Sequence, residues 1–369
     1  MIWFTIASLL PAFLLGFGAV LGGVWPLLGV VSITVLVFFL DKLANRFLPE
    51  NEAWTGHGLS LGLAVGHLVL LPIIIWSVGA GAHLDTLDKV LLVTGAGLWF
   101  GQVSHSNAHE LVHRADRWGR RLGKLLYASL LYGHHGTAHI RVHHIHAATD
   151  LDPNSARLGE GFWSFCLRCA AGEYTAGLKA ENAARARRAK SLPLWTHPYL
   201  TDAAISAISL GLAFWLAGWP GILALVVVAI YAAWQLMLSD YVQHYGLRRH
   251  TLPSGKLEPM GPQHSWNAPK WYSSAMMLNA PRHSDHHVHP GRAFPALQLD
   301  QTTMPTLPQS LPVMAVIALV PPFWHRLMDH RAQRWRLKSQ ARGGAASAKK
   351  RTPPRTISEN AGPDGHKLA

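Results

Sequence analysis

The chain has 369 residues, of which 49% are hydrophobic and 14% are charged, and its mean hydropathy is +0.14. Since about 25% of the residues in typical soluble domains are charged, this composition argues against a soluble globular protein and favours an integral membrane protein. The net charge of +13 fits either a nucleic-acid-binding protein or a membrane protein with basic cytoplasmic loops, and the distribution of the charge decides between them.

Six apolar runs predict transmembrane helices at about residues 3–20, 23–40, 59–78, 89–113, 203–219 and 222–244. A helix needs roughly 17–25 residues to cross the hydrocarbon layer, and the fourth run reaches that length only by extension beyond its apolar part. Because Pro and Gly break helices, Gly22-Gly23 and Trp219-Pro220-Gly221 predict tight turns. The runs then pair into three hairpins, which places both termini on one side of the membrane.

Lysine and arginine indicate the orientation of the chain. They concentrate between His109 and Thr201, whereas the loops at 80–88 and 218–221 contain neither. Because basic residues accumulate in cytoplasmic loops, we expect a multi-pass protein of the bacterial inner membrane with both termini in the cytoplasm. This topology accounts for the net positive charge, and no nucleic-acid partner is expected.

Nine histidines recur in four groups near the predicted cytoplasmic ends of these helices. The groups are His109 and His113; His139, His143 and His144; His244; and His283, His286 and His287. Spacings of three and four residues put side chains on one face of a helix, and neutral imidazole is a nitrogen ligand for zinc, copper, iron or nickel. One ion seldom takes more than four or five such ligands, so nine histidines predict a site for two metal ions.

Helix length places these groups at the same membrane boundary. His109 lies 20 residues after Lys89, and His244 lies 23 residues after Gly221, and both starting points are on the predicted outer side. At the rise of an α-helix, about 30–36 Å separates the histidines from that side. We therefore expect an all-α membrane protein of six transmembrane helices, with a cytoplasmic helical cap that carries a histidine-rich dimetal site.

The C-terminal part of the chain changes in composition. The segment 311–324 is short and contains Pro321-Pro322, so we expect it at the interface or packed on the domain, not across the membrane. From 331 onward the chain is polar and basic, and residues 338–369 predict a disordered segment that is available to anionic lipid. The predicted domains are a membrane-embedded unit (1–330) and a basic tail (331–369).

The stretch from His109 to His113 also matches the pattern H-E-x-x-H. In zinc proteases the two histidines of this pattern bind the metal and the glutamate, here Glu110, acts as general base. The pattern is short and often matches by chance. A protease needs only one more ligand, which leaves most of the other histidines unexplained, so a zinc protease is the remote alternative.

Longer stretches around the histidines resemble the integral-membrane alkane 1-monooxygenases, within the fatty acid desaturase and hydroxylase superfamily. Residues 107–114 resemble the first histidine box of that family, and residues 132–157 resemble the second box and the loop that follows it. Residues 240–248 contain the His-Tyr-Gly motif typical of alkane and xylene monooxygenases, and residues 279–290 resemble the third box. The resemblance covers about residues 1–330.

The resemblance implies two non-haem iron ions, with O2 as co-substrate and all nine histidines as ligands. It implies hydroxylation of the terminal methyl group of an alkane, with electrons from a rubredoxin or ferredoxin and its reductase. We expect hydrogen bonds from neighbouring groups to orient the ligands, and the candidates are Glu110, His134, Asp150, Asp152 and Asp285. A xylene-type methyl hydroxylase and a lipid acyl desaturase are the alternatives, and the His-Tyr-Gly motif disfavours desaturation.

The chain departs from the family pattern at three positions. Ala138 and Gln243 stand where the family usually has Glu, and Asp240 stands where Asn is usual. No candidate ligand is lost, but negative charge near the metal ions is reduced. Because such neighbouring groups tune metal affinity and potential, the metal site is better determined by the resemblance than the preferred substrate is.

Overall fold

The computed structural model describes residues 1–43, 50, 53–252 and 254–351, and the regular structure of these ranges is helical. The first half consists of α1 (Ile2–Leu21), α2 (Val24–Ile33), α3 (Val35–Leu43), α4 (His57–Ala80), α5 (Thr86–Trp99), α6 (His105–Val112) and α7 (Arg117–Ser129). The second half consists of α8 (His135–Ala138), α9 (His144–His146), α10 (Phe162–Ala186), α11 (Pro198–His244), α12 (Trp271–Met276), α13 (His283–Val288), α14 (Leu311–Ala318) and α15 (Pro321–Arg351). Short π-helical turns, Phe100–Ser104 and His139–His143, join α5 to α6 and α8 to α9. The predicted all-α class is confirmed for the described residues.

Helices that are long and apolar enough to cross a membrane make up much of the structure. Among the described residues these are Ile2–Leu21, Val24–Leu43, His57–Ala80 and Pro198–His244. They leave large apolar side chains such as Phe13, Val65 and Ile230 exposed. Since broad exposed apolar surfaces suit lipid and not water, the chain is a membrane protein.

The first two helices form a hairpin at the predicted turn. Gly22 and Gly23 have φ angles of 65° and 66°, a left-handed conformation that glycine adopts without steric cost. The backbone N–H of Gly23 donates to Oδ2 of Asp88 at 3.1 Å, which ties the turn to the first residues of α5. A glycine pair therefore sets both the reversal of the chain and its contact with the next helix.

The longest helix, α11, is folded back on itself. Ala217 and Gly218 have non-helical dihedral angles, with φ of 62° at Gly218. A Cβ atom added to Gly221 would lie 2.2 Å from the carbonyl oxygen of Ala213, whereas residues eight apart in a continuous helix are separated by about 12 Å. The reversal precedes the predicted turn at Trp219–Gly221, because Pro220 is accommodated in the first turn of the second limb.

Residues of the fourth predicted run form α5, a π-helical turn and α6 in succession, and the described helices that are long and apolar enough to cross a membrane do not include them. The π-helical turn lies close to α11, since a Cβ atom added to Gly101 would be 2.5 Å from Cβ of Gln235. Two hydrogen bonds hold α6 on α4: Ser60 Oγ donates to Asn107 Oδ1 at 2.5 Å, and Asn107 Nδ2 donates to the carbonyl of Ser60 at 2.9 Å. These contacts fix the rotation of α6 about its axis, and with it the direction of the face that carries His109.

The C-terminal part differs from the prediction. Helix α14 is short and buries Leu311, Met314 and Ala318, in agreement with a segment packed on the domain. Helix α15 continues to Arg351, so the expectation of disorder from residue 338 is wrong as far as 351. Alanine and long basic side chains favour helix, and this composition outweighs the polar character on which the expectation rested. Residues 352–369 lie outside the described residues.

Candidate metal centre

Two clusters of histidines form where α6, α11 and the short helices meet. His109, His113, His139, His144 and His286 make up the five-histidine cluster, and His143, His244, His283 and His287 make up the four-histidine cluster. Within each cluster one nitrogen from every ring lies within 4.8 Å of the others. Every histidine that the sequence predicted as a ligand is therefore in one of the two clusters.

The nitrogens of the five-histidine cluster are spaced as ligands of one ion. The Nε2 atom of His139 lies 3.0 Å from Nε2 of His113 and 3.0 Å from Nε2 of His144. The Nε2 atoms of His144 and His286 are 3.1 Å apart. Nitrogens that bind one ion at about 2.0–2.1 Å are themselves separated by about 3 Å, so the geometry fits a metal ion at the centre.

The four-histidine cluster has the same spacing. The Nε2 atom of His283 lies 2.9 Å from Nε2 of His244 and 3.1 Å from Nε2 of His287. The Nε2 atom of His143 is buried and has no hydrogen-bond partner among the described residues. Because an unpaired buried nitrogen is costly, this atom also fits a metal ligand.

The two clusters adjoin each other. His143 and His144 are consecutive residues that belong to different clusters. The ring centroids of His144 and His287 are 4.7 Å apart, and those of His139 and His143 are 5.2 Å apart. The arrangement therefore fits two ions side by side.

Histidines that are close in the chain are divided between the clusters. His139 and His143 are the first and last residues of a π-helical turn. The sequence predicted that residues four apart share a face, and this holds for His283 and His287. It fails for His139 and His143, which lie in different clusters.

Hydrogen bonds away from the clusters hold the histidine-bearing segments in place. The end of α11 at His244 is fixed by Trp266, whose backbone N–H donates to the carbonyl of Gln243 at 2.7 Å. The start of α13 is fixed by Asn267: Ser284 N donates to Asn267 Oδ1 at 2.9 Å, and Asn267 Nδ2 donates to Ser284 Oγ at 2.7 Å. The clusters are therefore supported by buried polar contacts.

Burial keeps the cluster histidines in the form that binds metal. It lowers the pKa of His283 to about 3 and the pKa of His139, His144 and His287 well below the ordinary value. These imidazoles are therefore neutral near pH 7, and a neutral ring has a nitrogen lone pair free for a metal. His143 is the exception: burial has the largest single effect and would lower its pKa, but the carboxylates of Asp152, Asp240 and Glu173 together raise it.

Asp152 is one of the residues predicted to orient a ligand, and it contacts a cluster histidine directly. Its Oδ2 atom accepts a hydrogen bond from Nδ1 of His143 at 2.9 Å. Ser155 Oγ donates to the same oxygen at 2.6 Å, and the backbone N–H of Asn154 donates to Oδ1 at 3.1 Å. This arrangement fixes the His143 ring with Nε2 directed away from Asp152, as in carboxylate–histidine–metal triads.

The other four candidates have different partners. Glu110 lies 3.9 Å from the Arg114 guanidinium, Asp150 is exposed and lies 3.7 Å from Arg248, and His134 packs on the ring of Tyr132 at 4.6 Å. Asp285 accepts hydrogen bonds from His289 at 3.0 Å and from Arg292 at 2.7 Å. None of these contacts reaches a cluster histidine, so the structure does not support a ligand-orienting role for the four.

A buried acid near the five-histidine cluster was not predicted from the sequence. Glu173 on α10 accepts from Nδ1 of His135 at 2.5 Å and from the hydroxyl of Tyr132 at 2.7 Å. The His135 ring stands 5.3 Å from the ring of His139. Burial would raise the pKa of Glu173, but the neighbouring His135 outweighs burial and lowers it. The available signal was that Glu173 is the one charged residue between Arg168 and Lys179.

Comparison with known proteins shows which family the chain belongs to. Residues 89–318 match the model of the fatty acid desaturase family. The chain is 32% identical to alkane 1-monooxygenase 2 of Pseudomonas aeruginosa, over 83% of this chain and 83% of the relative. It is also 32% identical to alkane 1-monooxygenase 1 of Alcanivorax borkumensis, over 73% of this chain and 66% of the relative. The chain belongs to the alkane 1-monooxygenase family.

A related hydroxylase with another printed substrate is also similar. The hydroxylase component XylM of the xylene/toluene monooxygenase of Pseudomonas putida is 28% identical over 83% of this chain and 82% of the relative. Membership of the family therefore makes the chain a membrane oxidoreductase of the hydroxylase type and leaves its substrate to be proposed.

Proposed function

We propose that the protein hydroxylates the terminal methyl group of alkanes with O2 at a pair of non-haem iron ions. The observation that carries the proposal is the pair of adjoining all-histidine clusters in a chain of the alkane 1-monooxygenase family. The balanced reaction takes R-CH3, O2, two electrons and two protons to R-CH2OH and water. It breaks one C–H bond and inserts one oxygen atom.

Each histidine cluster would hold one iron ion. When bound, the ions supply O2 activation and cleavage of a C–H bond, chemistry that amino-acid side chains do not perform. The protein supplies the ligands, and Asp152 orients one of them through the hydrogen bond to His143. Buried surroundings keep bulk water from the clusters and keep ligand rings such as His139, His144, His283 and His287 neutral, which supports metal binding.

We propose the predicted topology for this enzyme. Six membrane crossings arise if α11 crosses twice and if α5 and α6 together cross once. Both termini and the clusters then lie on the cytoplasmic side of the bacterial inner membrane, because the basic segments between 109 and 201 would be cytoplasmic. An alkane dissolved in the bilayer would approach methyl end first. The terminal carbon would then lie nearest to the clusters, and this proximity favours its hydroxylation.

Electrons would come from a rubredoxin or ferredoxin and its reductase. The basic residues Arg117, Arg120 and Arg121 of α7 and Arg187 and Arg188 beyond α10 are exposed. Small iron–sulfur carriers are usually acidic, and opposite charge speeds their encounter. We propose this basic surface as the carrier's docking site.

The second candidate function is methyl hydroxylation of an aromatic substrate, which the similarity to XylM favours. The zinc protease alternative loses support, because His109 and His113 lie in a cluster with three further histidines. In addition, Glu110, the base that a protease would need, is paired with Arg114.

The test is conversion of a substrate panel by whole cells that express the full chain with a rubredoxin and its reductase. The panel contains n-alkanes of graded length, xylenes and fatty acids, and the products are identified by mass spectrometry. We expect 1-alkanols from alkanes, and no product from His143→Ala. The control is His289→Ala, a half-exposed histidine outside the clusters. Products from xylenes alone, or unsaturated products from fatty acids, would replace the proposal with one of its alternatives.

A further inference from the structure

A narrow passage leads away from the histidine clusters between α11 and the α5–α6 run. It consists of two adjoining cavities with volumes of about 50 Å³ and about 40 Å³. The first is lined in part by His109, His139 and His283, and therefore reaches both clusters. The second reaches Pro312 and Ala315 on α14. The two cavities share the lining residues Gly101, Ser106, Ser239 and Ala280.

Polar side chains interrupt the mostly apolar lining of this passage. Gln235, Ser239 and Gln243 are spaced four residues apart on α11, so they share one face. Gln102 and Ser106 lie on the opposite side, and both line the passage. Polar side chains inside a membrane-spanning structure are costly unless they serve a polar occupant. An alkane path alone gives no reason for these polar side chains.

Two side chains along the passage have hydrogen-bonding capacity that the protein does not use. Gln102 donates to Gln235 at 3.1 Å, but its own buried Oε1 has no partner among the described residues. His105 is 2% exposed, and at least one of its ring nitrogens has no partner in the described part of the chain. Buried polar atoms are nearly always paired, so these atoms require a small molecule with hydrogen-bonding groups.

Size and charge select water as that molecule. A cavity of at least about 10–15 Å³ holds a water when polar partners are present, and both cavities exceed this. Gln243, which donates to the carbonyl of Ala280 at 3.1 Å, is neutral where the family pattern has Glu. The one carboxylate of the lining, Asp240, accepts a hydrogen bond from Asn154 at 2.8 Å. The middle of the passage therefore suits a neutral ligand better than a cation.

We infer that the passage holds a file of ordered water molecules that extends from the α14 side to both histidine clusters. The proposed reaction consumes two protons, and a water file is positioned to bring them to the clusters. This role rests on the proposed function, whereas the presence of water does not. Hydrocarbon and water would then reach the clusters by different paths.

The presence of water can be tested by X-ray radiolytic labelling of the metal-loaded enzyme in lipid nanodiscs. Hydroxyl radicals formed from bound water oxidise the adjacent side chains. Met277 lines the passage and is 4% exposed, whereas Met276 is 0% and Met237 is 6% exposed, and neither lines it. We expect Met277 to be oxidised several-fold faster than both, after subtraction of an unirradiated sample. Equal rates at Met276 and Met277 would overturn the proposal.

A variant series tests whether these polar side chains hold the water. Gln102→Leu removes the unpaired oxygen and should lower the oxidation of Met277 towards that of Met276. The control Thr94→Val, on the same helical run, changes a hydroxyl that bonds its own backbone and should leave the labelling unchanged. If Gln102→Leu fails to fold, Gln235→Leu on the facing helix makes the same test. Unchanged labelling in the folded variant would contradict the proposal.

The kinetic readout separates water delivery from substrate entry. If the file brings protons, Gln102→Leu should lower kcat for alkane hydroxylation and leave KM for the alkane unchanged. A raised KM with unchanged kcat would assign the passage to the substrate and overturn the role in proton supply. The labelling experiment needs no turnover, so failure of the proposed alkane activity and failure of this inference are distinguishable.

Discussion

The carboxylate of Asp152 and the Nδ1 atom of His143 are 2.9 Å apart, and both side chains are buried. Asp152 reaches His143 from a turn nine residues later in the chain, where Ser155 and Asn154 hold the carboxylate. A short local segment thus sets the orientation of the His143 ring.

The first prediction concerns this hydrogen bond. Asp152→Asn should weaken metal binding by about 10–100-fold, because the amide neither fixes the His143 ring as firmly nor raises its basicity. Competition with a chelator, followed by elemental analysis, measures the change. Asp150→Asn is the matched control, since Asp150 is exposed and lies 3.7 Å from Arg248. Equal losses in the two variants would show that Asp152 acts on the fold and not on the ligand.

The second prediction concerns metal stoichiometry. His286 and His287 are consecutive but belong to different clusters, so His286→Ala and His287→Ala should each retain one iron per chain, and the double variant should retain none. The iron content of purified protein measures this, with His289→Ala as a control that retains both ions. Loss of both ions from each single variant would indicate one cooperative site.

The third prediction concerns the acid stability of metal-free protein. Burial lowers the pKa of His283 to about 3, whereas an unfolded histidine titrates near about 6.5. Between these values the unfolded chain binds more protons, so stability is retained above about pH 6.5 and decreases as the pH falls below it. Thermal unfolding from pH 7.5 to pH 5 should show a falling Tm. The slope should be smaller in His283→Asn, and parallel curves for the two proteins would refute the explanation.

The fourth prediction concerns the electron carrier. Reduction of the enzyme by an acidic rubredoxin should slow steeply as salt rises from low to physiological concentration, because salt screens the attraction between exposed charges. Arg187→Glu with Arg188→Glu should raise KM for the carrier and flatten this dependence, with no effect on KM for the alkane. Lys338→Glu, on α15, is the control. A salt-independent rate in the unaltered enzyme would exclude the basic surface as the dock.

The sequence predicted the parts of this structure that depend on local spacing. The apolar runs predict helices, and Gly22-Gly23 between the first two runs predicts a turn. The first hairpin was therefore predictable from signals that lie close together in the chain. The histidine groups were predictable as a metal centre because nine similar ligands have no other common purpose. Their division into two clusters was not, because spacing alone puts His283 and His286 on one face of a helix, whereas the two lie in different clusters.

Contacts between distant segments could not be predicted from the sequence. Glu173 bonds to His135, 38 residues earlier, and only the packing of α10 on α8 brings them together. Glu110 and Asp285 looked like ligand partners because they stand beside histidines in the chain. Each turns instead to an arginine, Arg114 and Arg292 respectively, because a charged partner compensates a buried carboxylate better than a neutral ring does.

The consecutive residues His143 and His144 serve different clusters. Deletion or insertion of a single residue in this stretch would move each later histidine of the group to the position of its neighbour. Both clusters would then lose ligands together. Substitutions in the same stretch, such as at Ile140 or Arg141, leave that register intact. Natural variants of the segment should therefore differ in amino-acid identity but not in length.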